Sequence, residues 1–414
     1  MEINSQKIDK ILLNKYFGVP IFISFLLLMF FTTFVVGSYP IHWISSFFDL
    51  LKNLFDSVLN EGILKELIND GILPGVGLVI SFLPNVIILF FFIFFMESSG
   101  YLIRVGAILD NFMGLFGLSG QSVVLLLMGF GCNVPAILAS NSIKNRSEKI
   151  RTILLIPFMS CSGRLPVYIL ITGMLFTKLE GVVVLISIYL LGILLAILFS
   201  LLFRDRKHNF NQKRIITDLP AYKLPPLKNL IKRILIEVRD YIKKIFSVLL
   251  IASVVIWFLQ AFPKTDNSNK KEQIEHSYIG IIGKKIEPIL APLGFDWRIS
   301  IALVTGITAK EAAISSLGVL FNDNTAANEN KTFSEQLKNA KYISGDRKGE
   351  VIFCIPVGLT FMVFFLIYFP CVSVFVAIKK VAGKKHAALI GMFTILAAYF
   401  VAFIVRIISD FAVM

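Results

Sequence analysis

Charge is scarce in this chain. Asp, Glu, Lys and Arg make up 16% of the 414 residues while 56% are hydrophobic, and the apolar residues stand in long blocks rather than in the half-and-half stripes of a water-soluble core. Histidine is scarcer still. The four, at positions 42, 208, 276 and 386, fall in or near the segments between blocks, and no nucleophile stands beside a base, so the sequence argues against an enzyme. Only four cysteines occur, Cys132, Cys161, Cys354 and Cys371; a secreted disulfide framework would set them in loops, whereas these lie in or beside apolar blocks. A phosphate-binding G-x-x-x-x-G-K-[ST] loop is missing, and Gly280-Ile281-Ile282-Gly283-Lys284-Lys285 is too short in spacing to replace it.

What remains is a membrane composition. Apolar blocks long enough for a hydrocarbon core of about 30 Å occur near 19–38, 76–96, 151–175, 181–203, 241–262, 350–378 and 385–409, and two interrupted ones near 121–141 and 298–321. The block from Val19 follows a polar stretch and lacks a small-residue cleavage pattern, so it is expected to stay as a span rather than be removed as a signal peptide. The net charge of +14 comes from segments between blocks without interleaved aromatics, a pattern that suits lipid headgroups and topology and not nucleic acid.

Charge sets the expected topology. Between Arg204 and Lys244 stand twelve Lys or Arg against four acids, and Lys7, Lys10 and Lys15 precede the first block; both segments are expected in the cytoplasm. The segment 39–75 carries two Lys against five acids and is expected to be an outside loop. Lys144, Arg146, Lys149 and Arg151 again ask for the cytoplasm, which holds only if 121–141 enters and leaves by one face. The same reasoning makes 298–321 re-entrant from outside and leaves the C-terminus outside. The reading is therefore an all-α polytopic membrane protein of about seven full spans and two re-entrant segments.

Shifting 107–137 by 177 positions lays it on 284–314 without a gap, with five identities among 31 positions: Gly117/Gly294, Leu126/Leu303, Gly129/Gly306, Ala136/Ala313 and Ile137/Ile314. Asp110/Glu287 adds a conservative pair. Because the charges give the copies opposite orientation, the expected architecture is an inverted repeat, whose paired interrupted helices point to a transport site near the midplane.

The chemistry concentrates at the interruptions. In Gly129-Phe130-Gly131-Cys132-Asn133-Val134-Pro135-Ala136-Ile137 two glycines and a proline are expected to kink the helix, freeing carbonyls beside a thiol; a structural kink with a buried Cys is the other reading. In Pro157-Phe158-Met159-Ser160-Cys161-Ser162-Gly163-Arg164-Leu165-Pro166 an arginine inside a span needs a carboxylate, carbonyls or water, with Glu97 and Glu311 as candidate partners; the other reading is that Arg164 only locks helices together. Thr308-Ala309-Lys310-Glu311 sets adjacent opposite charges in an apolar block, and Tyr368-Phe369-Pro370-Cys371 repeats the proline and cysteine theme. Thiolates favour ferrous iron, zinc or cuprous copper, with Glu311, Asn133, Ser160 and Ser162 filling remaining positions. Two thiolates and a divalent ion are neutral together, which suits a membrane interior. Cys354, in an unbroken apolar run, is expected to be packing.

Across nearly the whole chain, Ile8-Asp9-Lys10-Ile11-Leu12, Gly18 to Phe22, Glu97-Ser98-Ser99-Gly100-Tyr101, Leu118-Ser119-Gly120, Gly129 to Ile137, Pro157 to Tyr168, Ala309 to Gly318 and Tyr368 to Cys371 resemble the ferrous iron transport protein B family, the middle stretches its two gate regions. The resemblance implies uptake of Fe²⁺ across the bacterial cytoplasmic membrane, with Cys132, Cys161 and Cys371 handling the metal and Glu97 and Glu311 as its acids. Charge, the internal shift and the resemblance together divide the chain into a cytoplasmic segment 1–18, a membrane half 19–203 with gate region 107–168, a basic cytoplasmic loop 204–240, and a half 241–414 with gate region 284–378. Family members normally begin with a cytoplasmic G-protein domain, absent from this sequence; it is removed, separately encoded, or never part of a stand-alone paralogue. No nucleotide is expected on this chain, and its implied partners are lipids, such a G-protein domain and small accessory iron-transport proteins, with a homo-oligomer left open. A second departure is Asn111 after Asp110, where a basic residue is expected. A nucleoside or other small-solute carrier with a similar gate, and a non-transporting membrane scaffold, are the competing expectations.

Overall fold

The computed structural model describes residues 15–413 apart from 59, 61, 115, 204–225, 243–246, 265–269, 322–332 and 343–346. The N-terminal motif at Ile8 to Leu12, most of the basic loop after Phe203 and the side chain of Asn111 lie outside the described residues. The described chain is helical, and among its residues the one extended pairing is an isolated bridge between Lys341 and Val351.

In chain order the main helices are α1 (Lys15–Phe31), α2 (Gly37–Val58), α3 (Leu73–Ser98), α4 (Tyr101–Gly114), α5 (Gly120–Gly129), α6 (Asn133–Ala139), α7 (Arg146–Leu155), α8 (Leu165–Leu175), α9 (Lys178–Leu202), α10 (Leu227–Tyr241), α11 (Ser247–Ala261), α12 (Tyr278–Leu290), α13 (Trp297–Thr305), α14 (Ala312–Phe321), α15 (Ile355–Ile367), α16 (Val372–Ala382) and α17 (Lys384–Val413). Among the described residues four helical runs are long and apolar enough to cross a membrane: Arg146–Leu175, Lys178–Leu202, Ile355–Ala382 and Lys384–Ala412. A fifth exists if Leu83–Ser98 and Tyr101–Asp110, bent by 76° at their junction, count as one span. Their outward faces are greasy, as lipid contact requires: Val183, Ile186, Leu190 and Leu194 on α9, and Leu389, Met392, Leu396 and Phe400 on α17, are all exposed.

Two compact units are present, one of Met1–Ile156 with Ala196–Val254, the other of Pro157–Leu195 with Val255–Met414. In the first, α2 packs along α3, where Phe48 covers Gly77. Helix α10 lies on α3 through a buried stripe of Leu230, Ile234 and Val238, four residues apart. In the second, α15 is buried almost all round, and its Phe361 and Phe365 meet Phe295, Phe353 and Tyr168 in edge-on contacts.

Several expectations need correction. The segment 39–75 is not a loop: α2 occupies Gly37–Val58 and a π-helical turn covers Leu67–Ile72. Apolar residues there recur every three or four positions, and hydropathy alone misses such amphipathic helices. The blocks 151–175 and 350–378 are not continuous helices. The first is interrupted by 3-10 turns at Ile156–Phe158 and Ser162–Arg164, and the second begins only at Ile355 and breaks again between Ile367 and Val372. Pro135 does not kink a helix. It stands in the first turn of α6, where no amide hydrogen is needed, and the chain is fully broken before it, with Cys132 extended at φ −152° and ψ 129°.

Candidate functional site

All four cysteines stand at the same kind of place. Cys132, Cys161, Cys354 and Cys371 are each the extended residue just before a helical turn begins, and in none does the thiol cap that helix. For Cys354 this overturns the packing expectation: it is exposed, ahead of Pro356 in the first turn of α15. The other three are partly buried.

In the second unit three helix breaks converge. Between α13 and α14 the chain leaves helical geometry over 306–311, and between α15 and α16 over 368–371. The backbone N–H of Val372 donates to the carbonyl of Ile307 at 2.8 Å, tying the two breaks together. Gly306 allows this approach, since a methyl group there would lie 2.5 Å from the Tyr368 hydroxyl. The third break, 157–164, joins through Gly163, where the Glu311 carboxylate packs in the space a Cβ would take.

These breaks gather the polar groups. Cys161, Arg164, Lys310, Glu311 and Cys371 lie within electrostatic range of one another. Arg164, 1% exposed, is held by carbonyls: its guanidinium donates to the carbonyls of Pro157 and Met159, each at 3.1 Å. Of the carboxylates expected to pair with it, Glu97 in the first unit accepts from Arg233 at 3.0 Å. Lys310 donates to the carbonyl of Phe369 at 2.9 Å. Among the described residues the buried Tyr368 hydroxyl and Nε of Arg164 find no hydrogen-bond partner, while the buried Ser160 hydroxyl is a hydrogen-bonding neighbour of Tyr168 and Tyr189. Unpaired polar atoms in an apolar interior cost about 1–3 kcal/mol each. Buried polar atoms left in this state call for water or a polar visitor. Tyr168 and Tyr368 were not singled out from sequence; a tyrosine hydroxyl in an otherwise apolar run is the signal that marks them.

The first unit holds Cys132, Asn133 and Glu97. Asn133 is 3% exposed and its side-chain oxygen has no partner. At Gly131 the Leu89 side chain fills the place a Cβ would take, 2.6 Å from it, and Gly129 is buried before the break. A cavity of about 870 Å³ lies in this unit, lined among others by Glu97, Asp110, Pro135, Glu148 and Arg233. Its carboxylates are engaged: Asp110 accepts from the N–H of Gly120 at 2.7 Å, and Glu148 from the N–H of Ser119 at 2.9 Å. Among the described residues no three His, Cys, Asp or Glu side chains come together as a ready-made metal cage. Cys161, Cys371 and Glu311 are neighbours without being a closed ligand set.

The two stretches aligned in sequence share local turns. The turns before α5 and α13 hold Gly117 at φ 74° and Gly294 at φ 84°, 177 positions apart. Ser119 and Asp296, at the same offset, cap these helices by accepting from the N–H of Ser122 and Ile299. Asp110 bonds the Gly120 N–H, and Glu287 accepts from that of Trp297.

Apolar helices of membrane-crossing length, several of them broken beside thiols and buried charges, define a helical membrane protein. The family described as Gate, nucleoside recognition, matches residues 79–175 and 242–385, and the ferrous iron transport protein B C terminus matches 185–236. Relatives include the Fe(2+) transport protein A/Fe(2+) transporter FeoB fusion protein of Porphyromonas gingivalis, 37% identical over 97% of this chain and 51% of the relative. The Fe(2+) transporters FeoB of Campylobacter jejuni and Methanocaldococcus jannaschii are 36% and 34% identical, over 97% and 98% of this chain and 64% and 59% of theirs. No solved structure matches. The chain belongs to the ferrous iron transport protein B family, of which it matches the membrane portion. It spans between half and two thirds of the length of these relatives.

Proposed function

We propose that this chain carries Fe²⁺ across the cytoplasmic membrane into the cytoplasm, with Cys161, Cys371 and Glu311 as the central stations and Cys132 with Asn133 as a further one. The supporting observation is the meeting of three helix breaks in the second unit, which brings two thiols and a carboxyl beside the buried hydroxyls of Ser160 and Tyr368. A soft, partly hydrated divalent ion suits that mixture, since thiols supply the soft donors and hydroxyls replace lost water. The absence of a closed cage suits transport too, because conduction needs release as well as capture. Ser160 and Ser162 add oxygen donors. Gly129, Gly131, Pro135 and Pro370 keep the backbone broken, and Arg164 and Lys310 set the local charge.

The same reading keeps the inverted topology, about seven spans with two re-entrant segments, the basic loop 204–240 in the cytoplasm, and Glu97 with Arg233 at the cytoplasmic end. Nucleotide chemistry belongs on this reading to a separate G-protein domain, and accessory iron-transport proteins are candidate partners, as the fused relative suggests. The test is uptake of radioactive Fe²⁺ by liposomes containing the chain. C161A and C371A are expected to lose about tenfold or more of the rate, as removal of a directly interacting group does, while C354S keeps it. Unchanged uptake in both alanine variants ends the thiol pathway.

A further inference from the structure

Lys310 is a cation buried to 4% exposure inside a region proposed to pass cations. Its ammonium occupies a built cage. Nζ donates to the Phe369 carbonyl at 2.9 Å and sits 3.4 Å from the centre of the Tyr368 ring and 5.2 Å from that of Phe365. A carbonyl oxygen with two aromatic faces is a recognition set for a small cation. The adjacent Glu311 carboxylate packs on Gly163. The thiols of Cys161 and Cys371 and the Arg164 guanidinium lie within electrostatic range of the ammonium.

We propose that the Phe369 carbonyl and the Tyr368 and Phe365 rings form a cation subsite, with Lys310 as its tethered occupant when no cargo is present. The proposal deepens the iron reading and rests on it. When the carboxyl or a thiol of the site ionises in this apolar interior, the ammonium is the compensating charge beside it. An arriving divalent ion works against that charge, and the opposition keeps the thiol site weak enough to release its cargo. At an effective dielectric of about 20, a unit charge several ångströms away changes divalent affinity by roughly tenfold or more. Lys310 is thus a specificity-determining and affinity-setting residue, not a ligand.

The first experiment measures binding of Co²⁺ to the purified full chain through the thiolate-to-cobalt absorption band. K310M is expected to bind about tenfold more tightly than the unsubstituted chain, and K310R, which keeps the charge, to bind like it. K310Q stands in if K310M does not fold. Neutral variants that bind no tighter overturn the proposal, because a purely packing role predicts that result. Absence of Co²⁺ binding in every protein counts against the iron reading instead, and the cage is then judged by a second measurement. Methylammonium is expected to raise the thermal midpoint of K310A by refilling the subsite, without raising that of the unsubstituted chain and without an equal effect of sodium chloride. No selective rise overturns the cage.

Discussion

The helical pairs around Gly117 and Gly294 have one scaffold and two chemistries. In both, a helix of 13 or 14 residues is followed by a left-handed glycine, a capping side chain starts a short apolar helix, and an acid on the first helix holds the first N–H of the short one. The breaks that follow differ. The first is short and carries Gly131, Cys132 and Asn133, whereas the second runs over 306–311 and carries Lys310 and Glu311. Capping and turn geometry are therefore what the two stretches share, while the groups at the breaks differ, a thiol and an amide in the first and an ammonium and a carboxyl in the second.

The caps themselves give the largest expected contrast. Ser119 accepts from the Ser122 N–H, but Glu148 also engages the N–H of Ser119 and the Ser122 hydroxyl. S119A should therefore cost no more than about 1 kcal/mol. Asp296 both caps α13 and pairs with Arg298 at 2.7 Å, where the two side chains are 3% and 4% exposed. D296A leaves that guanidinium buried with its carboxylate gone, at a cost of about 3–5 kcal/mol. Thermal unfolding of the purified chain measures both. Equal losses would show that the ion pair is incidental and that the two copies are capped alike in energy as well as in geometry.

Much of this was readable beforehand, and the reasons differ by residue. Gly117 and Gly294 align because only glycine enters the left-handed region without strain. Ser119 and Asp296 escape an identity count although they do the same work, since several side chains can accept from a helix N-terminus. The breaks at 156–164 and 368–371 were hidden by hydropathy, which is blind to backbone geometry. The amphipathic α2 was hidden because its acids read as loop. Lys310 could be seen to need a partner, but the partner is a carbonyl of Phe369, and every residue has one.

The turns come next in size. Alanine at a left-handed glycine is strained by about 1–2 kcal/mol, and both G117A and G294A should lower the thermal midpoint accordingly. G294A should lower it further, because the new Cβ would meet Val357 Cγ2 at 2.8 Å. A harmless G117A beside a damaging G294A would mean that only the second copy depends on its turn, and would weaken the repeat as a structural rule.

The smallest expected effect concerns the acid of the second copy. Burial, then the nearby charge of Asp296, raises the Glu287 carboxyl above its ordinary value of 4.5, and the N–H of Trp297 with Lys284 and Arg298 only partly offsets this. A raised carboxyl holds its proton in the folded chain at a pH where the unfolded chain has released it. Ionised Glu287 therefore weakens the fold above that ordinary value, and the penalty fades as pH falls below it. E287Q keeps an oxygen to accept from Trp297 and removes the charge. It should raise the thermal midpoint at neutral pH and leave it unchanged in acid. A loss of stability at neutral pH would show instead that Trp297 needs a carboxylate, and that the second copy uses its acid as a charge where the geometry asks only for an acceptor.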